Sequence, residues 1–397
     1  MVVEPSFPVD TIPAPAYGRR TMRRTFAVFA LLLAAFPAAA HHRQTPAIVQ
    51  FTFDGDNRWP RTAALGDRLV VALGPDGARQ IFVRQRDRVT FLAVTSTGDN
   101  DNPSVALKRN TVAWDSDGDL LQNGSVGRQV YMLSSNTLVQ AAIDPTGTSR
   151  NPSINGLGTR LAFESAGDLV GPPHGGISQI FVRAANGALT MASRGEGASR
   201  NPSFGRSAGR LAFESTSDPV TGADTGVAQI WLQLPAGPAE PITDGAGDST
   251  MPALSQGGRL VAFQSTAALA TDGHDTGVPQ VFVYDINGRL FRQITNDAGG
   301  CHSPYVNDQT KSWRVTYVCG TKGYYTDIRT QSRFELPITG GDTIQSINAG
   351  GSHFVQVATT ANLLGGPPTA GHQLFQLNLF KLPAAPLQVG GIVTFTR

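Results

Sequence analysis

The sequence predicts an all-β protein, a single β-propeller of seven four-stranded blades, with six blades as the alternative. A seventeen-residue phrase recurs almost unchanged: SRNPSINGLGTRLAFES spans 149–165 and SRNPSFGRSAGRLAFES spans 199–215. Related strand-like segments return along the chain at intervals of about 40–50 residues, the spacing of propeller blades. The 397 residues include 44 glycines and 26 prolines, so turns are frequent and long helices are unexpected.

Each repeat contains a first strand near a proline, a glycine-rich turn, an apolar second strand, a loop, a third strand and often a fourth. The prolines are Pro60, Pro103, Pro152, Pro202, Pro252 and Pro304. The predicted second strands are 68–73, 111–116, 160–165, 210–215, 259–265, 314–319 and 353–359. The predicted third strands are 80–84, 129–133, 179–183, 229–233, 280–284, 327–331 and 373–377. Their apolar runs are nearly continuous, which favours sheets covered on both faces by neighbouring blades over a β-sandwich.

The two chain ends must supply the strand that closes the ring. The segment AIVQFTF, 47–53, precedes Pro60 by the interval that separates a fourth strand from the next blade. We expect it to complete the blade formed by 345–380, since an unpaired sheet edge invites aggregation. The C-terminal GIVTFTR, 391–397, competes for the same role or adds to the same blade.

Residues 1–40 have the order of an export signal. Four arginines at 19, 20, 23 and 24 precede FAVFALLLAAFPAAA, whose apolar run is short for a membrane span and ends at Ala38–Ala40. We therefore predict a signal peptide at 1–40, a propeller domain at 41–397, and a periplasmic or secreted location. Met1 and Met22 both remain possible starts.

Loss of the predicted signal leaves a formally neutral chain. It removes the four arginines, Glu4 and Asp10, so Lys+Arg falls from 32 to 28 and Asp+Glu from 30 to 28. A neutral protein without a basic cluster lacks the field that attracts nucleic acid or anionic lipid. We expect neither partner, no membrane span in the processed chain, and a monomer.

The blade phrase resembles that of the TolB-like family of WD-like-repeat propellers. The matching residues are Pro152 with Leu161–Ser165 and Ile180–Val182, repeated at Pro202 and at Pro252. The resemblance covers nearly all of 41–397 and implies an envelope propeller that docks protein partners on one face. The repeats leave no room for the α/β domain that TolB carries before its propeller, so we expect a different member.

Residues 205–209 spell Gly-x-Ser-x-Gly, the motif of a serine-hydrolase nucleophile elbow. That motif requires a strand before it and a helix after it. Here it lies before the strand RLAFES, and 155–158 and 255–258 occupy the same position in other repeats. We interpret it as a hairpin turn, and we predict no catalytic residues.

Cys301 and Cys319 are the two cysteines of the sequence. In the aligned repeats they replace Ser149 and Ser165, which face each other across the first two strands. Antiparallel pairing brings such positions within disulfide reach. In an oxidising compartment we expect the bond rather than two free thiols.

The loops after the second strands are rich in Asp and Gly: DSDGDL at 115–120, GADTG at 222–226 and GHDTG at 273–277. Asp115, Asp117 and Asp119 resemble the start of a calcium loop, but residue 126 is Val instead of the closing Glu. Asp and Gly are also ordinary turn residues. We expect turns, with no metal and no cofactor; the dispersed histidines His174, His274, His302, His353 and His372 are interpreted as surface or loop residues.

Chain direction places the loops after second strands beside the segments that enter first strands, at one mouth of the channel. The candidate binding residues gathered there are Arg150, Asn151, Glu164, Arg200, Asn201, Glu214 and His302. Such a polar ring is either a binding surface or a set of side chains that bond neighbouring backbone. The function we predict is non-enzymatic binding or scaffolding of an envelope or extracellular protein. A propeller-type lyase or glycosidase, or a small-ligand binder at the mouth, is the alternative.

Overall fold

Twenty-nine β-strands form the part of the chain that the computed structural model describes. That part comprises residues 47–53, 55–62, 68–85, 91–106, 110–205, 209–269, 277–307, 313–338, 344–350, 354–382 and 393–396. Within these ranges no helix has the length and apolar character needed to cross a bilayer. The predicted signal peptide, His274 and His353 lie outside the described residues.

The strands follow the repeats of the sequence. β1 (Ile48–Gln50) is followed by β2 (Arg58–Thr62), β3 (Arg68–Leu73), β4 (Gln80–Gln85) and β5 (Leu92–Ala93). The second repeat has β6 (Asn100–Val105), β7 (Val112–Ser116), β8 (Gln129–Ser134) and β9 (Thr137–Gln140). The third has β10 (Arg150–Ile154), β11 (Arg160–Ser165), β12 (Gln179–Ala184) and β13 (Leu189–Met191), and the fourth has β14 (Ser199–Phe204), β15 (Leu211–Ser217), β16 (Asp224–Gln233) and β17 (Ala239–Pro241).

The remaining repeats are more divergent. The fifth has β18 (Ser249–Leu254), β19 (Leu260–Ser265), β20 (Gln280–Asp285) and β21 (Leu290–Gln293). The sixth has β22 (Cys301–Asn307), β23 (Arg314–Cys319), β24 (Lys322–Asp327) and β25 (Ser332–Glu335). The chain then forms β26 (Ile344–Gly350), β27 (Phe354–Thr359), β28 (Gln373–Asn378) and β29 (Val393–Thr396).

The sheets confirm a β-propeller with seven blades. Blades 1 to 6 run from β2 to β25, each built from four consecutive antiparallel strands in chain order, and β29 adds a fifth strand to blade 5. Blade 7 is formed by β26, β27 and β28, and its fourth strand is β1 from the start of the propeller. Ile48 pairs with Leu377 and Gln50 pairs with Phe375, so the N-terminal segment closes the ring as expected.

A hydroxyl contact shows that the N-terminal segment follows the pattern of the other outer strands. In blades 1, 3, 4 and 5 a Ser or Thr just past the fourth strand accepts the N–H of a third-strand residue; the donor–acceptor pairs are Ile81–Thr95, Ile180–Ser193, Ile230–Thr243 and Val281–Thr295. In blade 7 Leu374 donates its N–H to Thr52 Oγ1 at 2.8 Å. A residue distant in sequence therefore occupies the same position.

Three strand predictions need correction. The C-terminal segment does not join blade 7, because β29 pairs with β21 as a fifth strand of blade 5. The third strand of blade 6 is β24, not 327–331, because a short turn at Gly320 starts it earlier than the repeat spacing suggests. The segment 222–226 is only partly loop, since β16 begins at Asp224.

The core lies between blades. Seven clusters of buried apolar side chains each combine residues from two adjacent blades. For example, Ala113 of blade 2 packs with Phe163 of blade 3, and Val71 of blade 1 packs with Leu374 of blade 7. Each sheet is therefore covered on both faces by its neighbours, which explains the continuous apolar second strands.

The two cysteines form the expected disulfide in blade 6. Cys301 and Cys319 are directly paired across β22 and β23, with their Cα atoms 4.2 Å apart. In blades 4 and 5 the same positions hold hydrogen-bonded serines: Ser199 with Ser215, and Ser249 with Ser265, each at 2.9 Å. The disulfide is thus a covalent form of a link that the other blades make with hydroxyls.

Gly205 and Gly209, the two ends of the Gly-x-Ser-x-Gly segment, lie between two antiparallel strands, while 206–208, with Ser207, lie outside the described residues. Phe204 pairs with Leu211 across β14 and β15, and Gly209 has a φ of 62°. Gly158 and Gly258 occupy the same position in their blades with φ of 68° and 72°. The glycine serves a tight turn that favours positive φ, and β15, not a helix, follows it.

We predict that deleting residues 47–53 lowers the melting temperature sharply, because blade 7 then exposes the edge of β28 and the ring opens. Removing 391–397 is the control, since it takes away only a fifth strand. A narrower variant, Thr52→Val, leaves the Leu374 N–H without its acceptor and should cost about 1–3 kcal/mol in urea unfolding. Equal melting temperatures for the 47–53 deletion and the intact protein would contradict this closure.

We predict that the Cys301→Ser/Cys319→Ser variant folds, because the serine pair reproduces the arrangement of blades 4 and 5. Its unfolding free energy should fall by about 3 kcal/mol, the value expected for a disulfide that closes a short loop. Urea unfolding measures the loss, and alkylation of the parent protein without reductant should add no mass. Uptake of two labels by the parent protein would refute the bond.

Candidate functional site: the propeller channel and its mouth

In blades 1 to 6 the first strand lines the central channel and contains a bulge just before its proline. The residue before proline has a left-handed backbone, with φ between 48° and 56°, at Trp59, Asn102, Asn151, Asn201, Met251 and Ser303. The pairing of the first and second strands shifts register at each of these bulges. Asn, which stands at three of them, adopts this conformation more readily than most residues.

In blades 3 to 6 the bulge directs a backbone N–H towards the preceding blade. The N–H of Asn151 donates to Asp115 Oδ2 at 2.9 Å, and that of Asn201 donates to Glu164 Oε2 at 2.9 Å. Met251 donates to Glu214 Oε2 at 2.7 Å, and Ser303 donates to Gln264 Oε1 at 3.0 Å. The four acceptors occupy equivalent positions on the second strands of blades 2 to 5. We call these four contacts the interblade fastener.

The side chain of the residue before proline donates to a fastener acceptor of its own blade. Asn151 Nδ2 donates to Glu164 Oε1 at 3.0 Å, and Arg150 Nε donates to the same oxygen at 2.7 Å. Glu164 is 1% exposed, so its charge is buried but compensated on both oxygens. Asn102 Nδ2 similarly donates to Asp115 Oδ2 at 2.9 Å.

The serine after proline makes a second link between blades. Ser104 Oγ accepts the N–H of Ile154 at 3.0 Å, and Ser153 Oγ accepts that of Phe204 at 2.9 Å. Ser203 Oγ accepts the N–H of Leu254 at 2.9 Å. The repeated Asn-Pro-Ser triplet therefore joins successive blades on both sides of its proline, which explains its recurrence in the sequence.

The structure brings the predicted mouth residues to the face on which first strands begin. We call this the mouth face: it carries the loops that precede first strands and those that join second to third strands. Arg150 pairs in register with Glu164, and Arg200 pairs with Glu214. His302 lies exposed at the start of β22, and partial desolvation lowers the pKa of its imidazole.

Two interpretations of the mouth residues were open, and the contacts of four of them follow the backbone-bonding interpretation. Asn151, Asn201, Glu164 and Glu214 all take part in the fastener. Burial raises the pKa of Glu214, although the Met251 N–H and the Asn201 side chain act in the opposite direction. Binding of a partner by the exposed arginines and His302 stays a prediction.

A chain of ion pairs joins blades 1 and 2, and sequence reasoning missed it. The buried Arg79 contacts Asp101 at 2.6 Å and Asp99 at 3.5 Å. Arg128 contacts Asp99 at 3.1 Å and also pairs with Asp115. Aspartates and arginines at loop starts and strand ends could have indicated this network, in which opposite charges compensate one another.

The aspartates of 115–120 face different partners, as ordinary turn residues do. Asp115 pairs with Arg128, and Asp117 Oδ1 accepts the N–H of Asp99 at 2.6 Å. Asp119 accepts N–H groups from Asn123 and Gly124 of its own loop. The three carboxylates therefore do not converge on one point. Of the described histidines, His174 is a loop residue but buried, with Nε2 3.0 Å from the Gly167 carbonyl.

The channel contains a cavity of about 320 Å³ lined by first-strand residues. Arg61 is the charged residue among its lining side chains, and it stands where Ser104, Ser153 and Ser203 stand in blades 2 to 4. Its guanidinium carbon lies 5.8 Å from the ring centre of Trp59 and 5.9 Å from that of Tyr305. The repeat pattern did not single out Arg61, although aligning this residue with those serines could have.

The cavity is narrowed at the end opposite the mouth. The Gln256 amide in the turn of blade 5 donates to the Thr62 carbonyl of blade 1 at 3.3 Å, which spans the channel. At the mouth end the lining includes Asn151, Asn201 and Met251. The cavity is therefore a recess below the mouth face.

No family profile and no curated protein matches the chain. Solved structures do. The β-propeller domain of the Trilobed protease from Pyrococcus furiosus, described with an open velcro topology, is similar over 81% of this chain and 92% of that one, at 10% identity and a TM-score of 0.56. Oligogalacturonate lyase in complex with manganese matches over 80% and 88%, at 12% identity and a TM-score of 0.52.

The structural neighbours also include the putative TolB from Agrobacterium tumefaciens, at 18% identity over 58% of this chain and 78% of that one, with a TM-score of 0.42. At 10% and 12% identity, the similarity to the protease domain and the lyase shows the propeller fold and carries no activity across. The propeller domain of the Trilobed protease is described with an open velcro topology, whereas this propeller closes through the β1–β28 pairing.

We predict an acid-dependent loss of stability from Asp144, which lies between blades 2 and 3. Burial alone would raise the pKa of Asp144, but hydrogen bonds from Thr146, Ser165 and Ser149 outweigh it and lower the pKa to about 2. A carboxylate with a depressed folded-state pKa stabilises fully above its unfolded value near 3.8, and this stabilisation disappears as the pH falls towards 2. It should amount to about 2 kcal/mol.

Urea unfolding between pH 2 and pH 6 measures this contribution. Asp144→Asn should flatten the change between about pH 4 and pH 2. Glu240→Gln, at an exposed carboxylate on β17, is the control and should leave the profile unchanged. Parallel profiles for Asp144→Asn and the parent protein would contradict the assignment.

Proposed function

We propose that this chain is an exported, non-enzymatic binding protein that docks a protein partner on the mouth face of its propeller. The observation that carries the proposal is the exposure of large apolar side chains on that face. Six of them protrude from its loops: Phe53, Leu121, Val126, Ile143, Val170 and Leu364, with Ile143 71% exposed and Val126 58%. Apolar groups gathered on a surface are typical of protein interaction sites.

The opposite face carries fewer such groups among the described residues. Leu157, in the turn between β10 and β11, and Phe380, after β28, are the large apolar side chains exposed there. Leu92 and Met251 are exposed on strands β5 and β18 rather than on loops. The asymmetry favours the mouth face as the docking side.

Four of the six mouth-face side chains belong to loops that are bonded into one surface. Arg128 of the β7–β8 loop donates its N–H to Gly147 of the β9–β10 loop at 2.8 Å. The N–H of Ala166, in the β11–β12 loop, donates to Thr148 Oγ1 at 3.0 Å. We name the surface formed by Leu121, Val126, Ile143 and Val170 the apolar ridge. Its fixed loops present a preformed contact area, which limits the entropy lost on binding.

The carboxylates near the channel favour binding over catalysis. Glu164 and Glu214, which a glycosidase would need as acid and base, accept N–H groups of the next blade. Carboxylates that hold backbone N–H groups cannot exchange protons with a substrate without weakening the ring. The export part of the proposal is supported by the basic and apolar leader sequence and by the disulfide, which persists in oxidising compartments.

We predict that a photo-reactive residue at position 143 or 126 forms a discrete adduct with a protein partner. The full chain is expressed in cells with the amino acid at either position, and adducts are sought in the periplasmic fraction and the medium. Position 157, on the opposite face, is the matched control and should give none. Ile143→Asp should abolish the adduct at 126, because a buried unpaired charge opposes docking. Adducts of equal yield at 157, or none at 126 and 143, would contradict the proposal.

A further inference from the structure

We propose that the central cavity binds an organic carboxylate on Arg61, with the carbon skeleton of the ligand packed between Trp59 and Tyr305. This site lies inside the channel, separate from the apolar ridge. It stands on four observations: an arginine that no described carboxylate contacts, a lining rich in hydrogen-bond donors, two aromatic rings beside the cation, and a narrowed far end.

Arg61 differs from the arginines that hold the propeller together. Arg79, Arg128 and Arg259 each contact a carboxylate within 3.1 Å. Among the described residues no carboxylate lies within ion-pair distance of Arg61, whose hydrogen bond goes to the Pro60 carbonyl at 3.3 Å. Surrounding protein lowers the pKa of Arg61 by desolvation, yet a guanidinium stays protonated at neutral pH. A desolvated, unpaired cation gains free energy from an anionic ligand.

The rest of the lining supplies donors and no competing anion. Ser104, Ser153 and Ser203 accept backbone N–H groups with their Oγ atoms, so each hydroxyl hydrogen is available to a ligand oxygen. No Asp or Glu is found among the described lining residues. An acidic ligand can therefore enter without meeting a like charge inside the cavity.

The distribution of carboxylates around the ring also favours an anionic ligand near Arg61. The fastener carboxylates belong to blades 2 to 4, whereas the equivalent positions in blades 1, 6 and 7 are the apolar Ala72, Val318 and Ala358. Arg61 of blade 1 and Tyr305 of blade 6 flank blade 7. The cation thus lies on the side of the channel where the second strands carry no carboxylate at this level, and a negative ligand is favoured there.

Organic carboxylates that fit a cavity of about 320 Å³ include peptide C-termini and uronic acid sugars. Matched probes distinguish these two classes of ligand. Calorimetry with the intact propeller compares N-acetyl-Gly-Phe with its C-terminal amide, and glucuronate with glucose. We expect at least one acid to bind with a dissociation constant below about 1 mM and its neutral counterpart not to bind. Arg61→Gln should weaken that binding about 10- to 100-fold, the loss expected for a charged hydrogen-bonded contact.

Controls separate binding from stability. Arg329→Gln removes an arginine that lies 4.6 Å from the Trp313 ring, outside the cavity lining, and should leave binding unchanged. Arg61→Lys keeps the charge but loses the planar fork, so it should bind with intermediate strength and remains informative if Arg61→Gln does not fold. Binding beside Trp59 should change the tryptophan fluorescence of the parent protein, and Trp59→Phe should retain binding and lose this change.

The outcomes are distinct. Binding of the peptide acid alone assigns the site to chain termini, and binding of glucuronate alone assigns it to uronic acids. Failure of both acids at about 10 mM, equal binding of acid and neutral counterpart, or unchanged affinity in Arg61→Gln overturns the proposal. None of these results depends on whether a protein docks at the apolar ridge.

Discussion

Mutual burial of neighbouring blades is the constraint on which this structure depends. Every cluster of the core contains side chains from two adjacent blades, including the pair formed by blades 7 and 1. A blade removed from the ring would expose both faces of its apolar second and third strands, at about 25 cal/mol for each Å². Outer strands contribute less to these clusters, and they are accordingly short: β5 has 2 residues and β13 has 3. The ring must close, and a distant chain segment supplies the strand that closes it.

The bulge before the proline of a first strand affects both the bonding between blades and the side chains that line the channel. A left-handed residue costs backbone energy at each bulge, about 1 kcal/mol or more for residues other than glycine. In blades 3 to 6 it turns one N–H towards the preceding blade, where Glu164 or an equivalent residue accepts it. The residue after proline then lines the channel, where serine in blades 2 to 4 binds the next blade. The geometry that fastens the blades therefore also determines which side chains a ligand in the channel would meet.

Periodicity made most of the fold predictable, because the blade count, the disulfide register and the closing strand all follow from spacing along the repeats. The partner of β29 could not be predicted in this way, since an added edge strand carries no burial pattern that selects one blade. The third strand of blade 6 was misplaced because its turn is shorter than those of the other repeats. The roles of Glu164 and Asn201 depend on a contact between residues 37 apart, which exists only once the ring is formed.

Departures from the repeated phrase mark positions where a requirement other than blade packing acts. Blades 2 to 4 keep the full Asn-Pro-Ser triplet, and there its serine joins each blade to the next. Blade 1 replaces it with Trp59-Pro60-Arg61, and blade 6 with Ser303-Pro304-Tyr305. At this position in blades 2 to 4, a serine stabilises the ring by accepting an N–H from the next blade. Arg61 at the same position in blade 1 lacks that hydroxyl acceptor and adds a charge that no described carboxylate contacts. The two substitutions flank blade 7 and meet in the same aromatic–cation cluster, which independent losses of the repeat would not be expected to produce.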